Sequence, residues 1–206
     1  MHRQQMRRAF IEMALRRARR GTGSSATFLD RRTAVQPVPP IGAVLGDVAW
    51  LLIGGLATRA YMPERTTLDV DILIHADDEA AARAAFVAAG YTVTGPLSIG
   101  GWTVERADEP PIDVVLGTMP WIDDALAAPA HDAAGLPVLQ RPYLMLMKLD
   151  AGRPQDLADV QRMLRDTPHA ERHSTRALIT RYLPDAVEDW DSLITLADLE
   201  FGTPPA

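Results

Sequence analysis

Gly54 and Gly55 follow the apolar run Trp50-Leu51-Leu52-Ile53, and 13 residues separate Gly55 from Asp69-Val70-Asp71, inside the apolar stretch Leu68 to Ile74. That stretch reads as a strand, on which side chains two apart share a face. Asp69 and Asp71 therefore point the same way. Two carboxylates that close are costly to ionise together unless a proton or a divalent cation lies between them. Magnesium is the simplest resolution. The glycine pair stands where a strand over Trp50 to Ile53 ends and a helix through Leu56, Ala57 and Ala60 begins. Glycine lets the backbone come close to a triphosphate, and the free amides at a helix start favour an anion.

A hydrophobic residue, Gly-Gly, a short spacer and Asp-x-Asp in a strand make the segment similar to the nucleotidyltransferase superfamily that resembles DNA polymerase beta. The resemblance implies an α/β (α+β) fold: a mixed nucleotidyltransferase sheet flanked by helices and followed by a helical subdomain. It also implies a third carboxylate on a neighbouring strand, which Asp113 in Pro111-Ile112-Asp113-Val114-Val115-Leu116 supplies. Asp69, Asp71 and Asp113 would then hold two Mg²⁺ ions, one activating the attacking hydroxyl and one neutralising charge on the leaving pyrophosphate. Arg65-Thr66-Thr67 stands where related enzymes often read Arg-x-Thr-x-Asp-x-Asp. Arg65 would bind a triphosphate oxygen and Thr67 would support the metal-bound geometry, alongside Gly54 and Gly55 at the phosphates. On the residues alone each element has a plainer role: a turn for the glycines, acids on an exposed strand face for Asp-x-Asp, charge compensation for Arg65.

A second block runs from Lys148 to Val160 and joins an apolar helix, Tyr143 to Asp150, to another, Gln155 to Leu164. Lys148 is the chain's only lysine and ends the apolar run Leu144 to Met147. A buried ammonium needs an anionic partner, either a nucleotide phosphate or a nearby aspartate. Asp156 and Asp159 lie three apart on one helical face, placed to orient Lys148 or Arg153. The block resembles the Lys, Arg and Lys-Asp-x-x-Asp region of bacterial abortive-infection and toxin-antitoxin nucleotidyltransferases. That likeness implies a catalytic role for Lys148, nucleotide binding by Arg153, an NTP substrate and, in those relatives, often a tRNA acceptor with a cognate toxin or antitoxin partner. Antibiotic-resistance relatives use a drug hydroxyl instead, and a catalytically silent nucleotide-binding regulator is the reading from another class. A salt-bridge network that fixes the helical subdomain to the sheet is the structural alternative for Lys148, Arg153, Asp156 and Asp159.

The elements that position these residues divide into a basic helix and Pro/Gly/Ser-rich linker over 1–40, an α/β domain over 41–140 and a helical subdomain over 141–206. Within the α/β domain the pattern predicts a short helix at Ile41 to Val48, an alanine-rich helix at Asp77 to Gly90 capped by Asp77 or Asp78, and strands at Tyr91 to Thr94 and Ile99 to Arg106. Asp123 and Asp124 read as helix-start acids. Helical patterns recur at His169 to Tyr182 and Asp185 to Leu199. His131, His169 and His173 lack partners at metal-ligand spacing.

With 47% hydrophobic and 23% charged residues the chain suits a compact protein, and without cysteine it offers no thiolate nucleophile or zinc-thiolate site. No run nears the ~18 apolar residues that span a bilayer, and the N-terminus lacks a secretory signal pattern, so cytoplasm is the expected compartment. The net charge of −6 hides an asymmetry: residues 1 to 32 carry nine Arg against Glu12 and Asp30, a net +7, leaving −13 for the remainder. Residues 2 to 20 read as a helix with Met6, Phe10, Met13 and Leu15 as its apolar face. Its basic surface suits RNA phosphates, an acidic partner or docking on the acidic body.

Overall fold

The computed structural model describes residues 3–18, 38–63 and 69–203. The chain divides into two compact units, one of Thr33–Ala60 and Glu64–Gln140, the other of Met1–Arg32, Tyr61–Pro63 and Arg141–Ala206.

In the first unit the described strands are β1 (Trp50–Leu52), β2 (Val70–His75), β3 (Thr92–Pro96), β4 (Gly101–Glu105), β5 (Ile112–Gly117), β6 (Ala130–His131) and β7 (Pro137–Val138). They form one mixed sheet in the order β3-β4-β5-β2-β1-β7-β6. The β2/β5 and β1/β7 pairs are parallel, and the other pairs are antiparallel. This is the mixed α/β class expected. The interior position of β1 explains its all-apolar sequence, since both of its faces are covered. In β2 and β5 the alternation is interrupted by a half-buried acid in each, Asp71 and Asp113, between buried aliphatics.

Two short helices, α2 (Ile41–Leu45) and α3 (Gly54–Ala57), flank β1, and α4 (Glu79–Ala88) lies against the sheet. Helix α4 buries Ala82 and Phe86, whose ring meets Tyr91 and Trp102 edge-on with centroids 5.2 and 5.7 Å away. Burying such a ring contributes about 2–3 kcal/mol. The cap differs from expectation. A 3₁₀ turn at Ala76–Asp78 precedes α4, and the His75 Nδ1 accepts the Asp77 backbone N–H at 3.1 Å, while Asp78 makes no side-chain cap. With φ of −87° and ψ of 0°, Asp78 lacks the extended backbone from which a capping carboxylate folds back onto the first helical amides. Helix α5 (Ile122–Ala127) starts with Asp123 and Asp124 in its first turn, as the sequence indicates. The β6/β7 hairpin leaves no pattern in the sequence, because two residues per strand are too few for a period to register.

The second unit holds α1 (Arg3–Arg17), α6 (Arg141–Ala151), α7 (Pro154–Leu164), α8 (His169–Tyr182) and α9 (Val187–Phe201). Pro154 sits in the first turn of α7, where its missing N–H costs no bond. The core is built from Leu144, Met145 and Leu149 of α6, Val160, Met163 and Leu164 of α7, Ile179 of α8, and Trp190 and Leu193 of α9. Helix α1 packs through a different face from the one its apolar residues suggest. Met6, Phe10 and Met13 are exposed, whereas Arg7 and Ile11 are buried. Arg7 accounts for the inversion: its Nε donates to Asp189 Oδ2 at 2.5 Å, its Nη1 to the Leu149 carbonyl at 3.1 Å and its Nη2 to Asp185 Oδ2 at 2.9 Å. A guanidinium so completely paired can carry its aliphatic stem into the interior. Among the described residues no helix is long and apolar enough to cross a membrane.

Candidate functional site

Parallel pairing sets Asp71 of β2 directly opposite Asp113 of β5. Their neighbours Val70, Ile72, Ile112 and Val114 are buried on the other face, so both acids emerge on one side of the sheet. Adjacent strands lie about 4.8 Å apart. On the far side of β5, Thr103 of β4 occupies the matching register position, and its Oγ1 donates to Asp113 Oδ1 at 2.6 Å. On the near side of β2, the Ile53 N–H donates to the Asp71 carbonyl at 3.0 Å, and the chain then turns through Gly54.

Gly54 has φ of +66°, a left-handed conformation that favours glycine. A Cβ there would lie 2.0 Å from Asp71 Oδ2 and 2.6 Å from its Cγ. The turn backbone is thus pressed onto the carboxylate, and glycine is required twice over. Gly55 is buried in the first turn of α3. Thr58 closes that segment, its hydroxyl donating to the Gly55 carbonyl at 2.6 Å.

Asp69 is exposed and stands one residue ahead of β2, which begins at Val70 rather than at Leu68. Arg65 and Thr67 lie outside the described residues. Among the described residues no group of three or more His, Asp or Glu side chains is arranged to hold a metal ion. The pair that the ladder does assemble, Asp71 with Asp113, offers hard oxygen donors side by side, a donor set that fits Mg²⁺.

Arg59, a further cation near the glycine turn, is engaged elsewhere. Its Nε donates to Asp132 Oδ2 at 2.8 Å, in the turn between β6 and β7. Burial disfavours the Asp132 charge, but the backbone N–H groups of Leu136 and Ala134 and the Arg59 guanidinium outweigh it, so its carboxyl is held below the ordinary aspartate value.

In the helical unit, Lys148 is 4% exposed and Asp156 and Asp159 are 3% and 0% exposed. The Lys148 ammonium donates to Asp159 Oδ2 at 2.8 Å and to Asp156 Oδ1 at 3.4 Å. Gln155 Nε2 donates to Asp159 Oδ1 at 3.1 Å, and Arg153 Nε to Asp156 Oδ2 at 2.6 Å. Arg162 Nη1 also stands 3.7 Å from Asp159 Oδ1. These pairs all lie inside the helical unit, not between helices and sheet, and both aspartates orient the lysine. Tyr61, under the Arg141 guanidinium that pairs with Glu171, has its hydroxyl pushed up to about 12, chiefly by burial.

Thr103 is the residue the sequence reading missed. Its signal was its place in an alternating strand, Gly101 to Glu105, but only the register with β5 shows that it faces Asp113.

No family model and no curated protein matches the chain. Among solved structures it is similar to ANT(2'')-Ia in complex with adenylyl-2''-tobramycin, with 20% identity and a TM-score of 0.42 over 75% of this chain and 92% of that one. It is also similar to the lincosamide antibiotic adenylyltransferase LnuA with lincomycin bound, at 13% identity and a TM-score of 0.42 over 56% of this chain and 85% of that one. A third likeness is to terminal uridylyl transferase 4 from Trypanosoma brucei with bound GTP, at 11% identity and a TM-score of 0.34 over 80% of this chain and 57% of that one.

Proposed function

We propose that the chain is a metal-dependent nucleotidyltransferase that moves a nucleoside monophosphate from an NTP to a hydroxyl-bearing acceptor, with pyrophosphate leaving. The observation that carries this reading is the row formed by Gly54, Asp71 and Asp113: a left-handed glycine packed on one carboxylate, and a second carboxylate in register beside it. Asp71 and Asp113, with Asp69, are the residues that would hold Mg²⁺, which supplies charge neutralisation on the phosphates and a more acidic acceptor hydroxyl. The Gly54-Gly55 turn at the start of its helix would face the polyphosphate with backbone amides, and Asp71 beside it would hold the cation that meets the phosphates. Asp113, at the acceptor side of the pair, receives the proton of the attacking hydroxyl. Arg65 and Thr67 enter the proposal from the sequence alone, as do the nucleotide roles of Lys148 and Arg153.

For the acceptor we favour RNA, with tRNA as the first to test, because Arg3, Arg16 and Arg17 of α1 are exposed cations on an otherwise acidic chain. A role beside a cognate toxin or antitoxin protein belongs to this reading. The test is incubation with Mg²⁺ and labelled NTPs, with total tRNA in one arm and hydroxyl-bearing antibiotics in the other. Asp71→Asn and Asp113→Asn should each lower transfer at least about a hundredfold. Label on the drug and none on RNA would replace the acceptor. No transfer in either arm, with Mg²⁺-NTP binding intact in a titration, would leave a nucleotide-binding regulator in place of the enzyme.

A further inference from the structure

We infer that Thr103 is a positioning residue for Asp113, and that its hydroxyl fixes which carboxylate oxygen faces the reacting groups. The inference rests on the proposed role of Asp113 and adds a residue to that site. Thr103 and Asp113 are paired in register on antiparallel β4 and β5, and the hydroxyl to Oδ1 distance is 2.6 Å, in the range of a charge-assisted hydrogen bond. Both side chains are half-buried.

The carboxylate of an aspartate otherwise turns broadly about its terminal torsion. Donation into Oδ1 stops that rotation and gives the two oxygens different tasks: Oδ1 is committed to Thr103, and Oδ2 is presented to an ion or an acceptor proton. The donor is itself well held. Thr103 is β-branched and stiff at χ1, and it lies between Trp102 and Val104, both buried on the opposite face. Its backbone carbonyl also accepts from the Thr94 hydroxyl at 3.5 Å on the next strand. The strand pairing of β4 with β5 thus places one hydroxyl on one carboxylate, which stands beside Asp71.

Valine at 103 keeps the shape and removes the donor, while serine keeps the donor and loses a methyl group. Crystal structures of the wild-type chain and Thr103→Val should show the Asp113 carboxylate rotated or split between orientations in the variant alone, and Thr103→Ser should restore the single orientation. With Mg²⁺-NTP and an acceptor that the wild type labels, Thr103→Val should lower kcat about tenfold with the KM for NTP within twofold, and Thr103→Ser should recover most of it. An unchanged Asp113 orientation in Thr103→Val overturns the inference, as does a kcat equal to that of wild type. If Asp113 reorients in the crystal while the wild type itself transfers nothing, the positioning stands and the proposed reaction is what fails.

Discussion

One added methyl group at residue 54 would set the turn against its own neighbour. Alanine there places a carbon 2.0 Å from Asp71 Oδ2 and asks an L-residue to hold φ at +66°, so either the carboxylate or the backbone has to move. Gly54→Ala should therefore keep the circular dichroism of the fold and lower nucleotidyl transfer at least about a hundredfold, with weaker Mg²⁺-NTP binding in calorimetry. Transfer within a few fold of wild type would show that the close approach has no bearing on the site. At this scale the acids were easy to read and their partners were not. Lys148 was recognisable because a lone lysine closing an apolar run must find an anion, and the anions it finds are Asp156 and Asp159. Thr103 escaped because its importance lies entirely in a pairing between strands, which composition does not encode.

Among the elements, the strands that carry Asp71 and Asp113 were legible from apolar runs broken by one acid each, and helix α8 from its period. Helix α1 was legible as a helix but not in its packing face, because hydrophobicity ranks Met6, Phe10 and Met13 above an arginine. What decides the face is the long-range pairing of Arg7 with Asp185 and Asp189, about as far apart in sequence as this chain allows. Arg7→Ala would strand the Asp189 carboxylate, which is 4% exposed in its side chain, and should cost the helical unit about 3–5 kcal/mol. Arg8, whose pair with Glu188 is solvent-exposed, is the control, with a cost below about 1 kcal/mol on replacement by alanine. Urea unfolding followed at Trp190, the only tryptophan of that unit, distinguishes the two; equal costs would mean that α1 is held by apolar contact alone.

For the molecule as a whole, composition and charge bound the class and the chemistry available, while the sheet order and the acceptor were beyond their reach, the first because it depends on non-local pairing and the second because the phosphate and metal residues serve any acceptor. Acid stability is a whole-molecule property that one of these pairings should govern. Asp132 has a folded value below its unfolded one, so its contribution is in place above about pH 4 and is lost as the pH falls through the folded value. Wild type should exceed Asp132→Asn in stability by a constant margin from pH 5 to 8, and the margin should close below about pH 4 in acid titrations of urea unfolding. A margin that persists at low pH would assign the effect to shape and not to charge. The parallel ladder of β2 and β5 has a consequence of another kind. Sliding β5 by one residue would turn Asp113 into the core and bring Ile112 or Val114 out beside Asp71. The misassembled sheet would bury an unpaired acid and fail to hold. The chain thus proofreads its own assembly: the burial that closes the core is the same event that sets the two acids side by side.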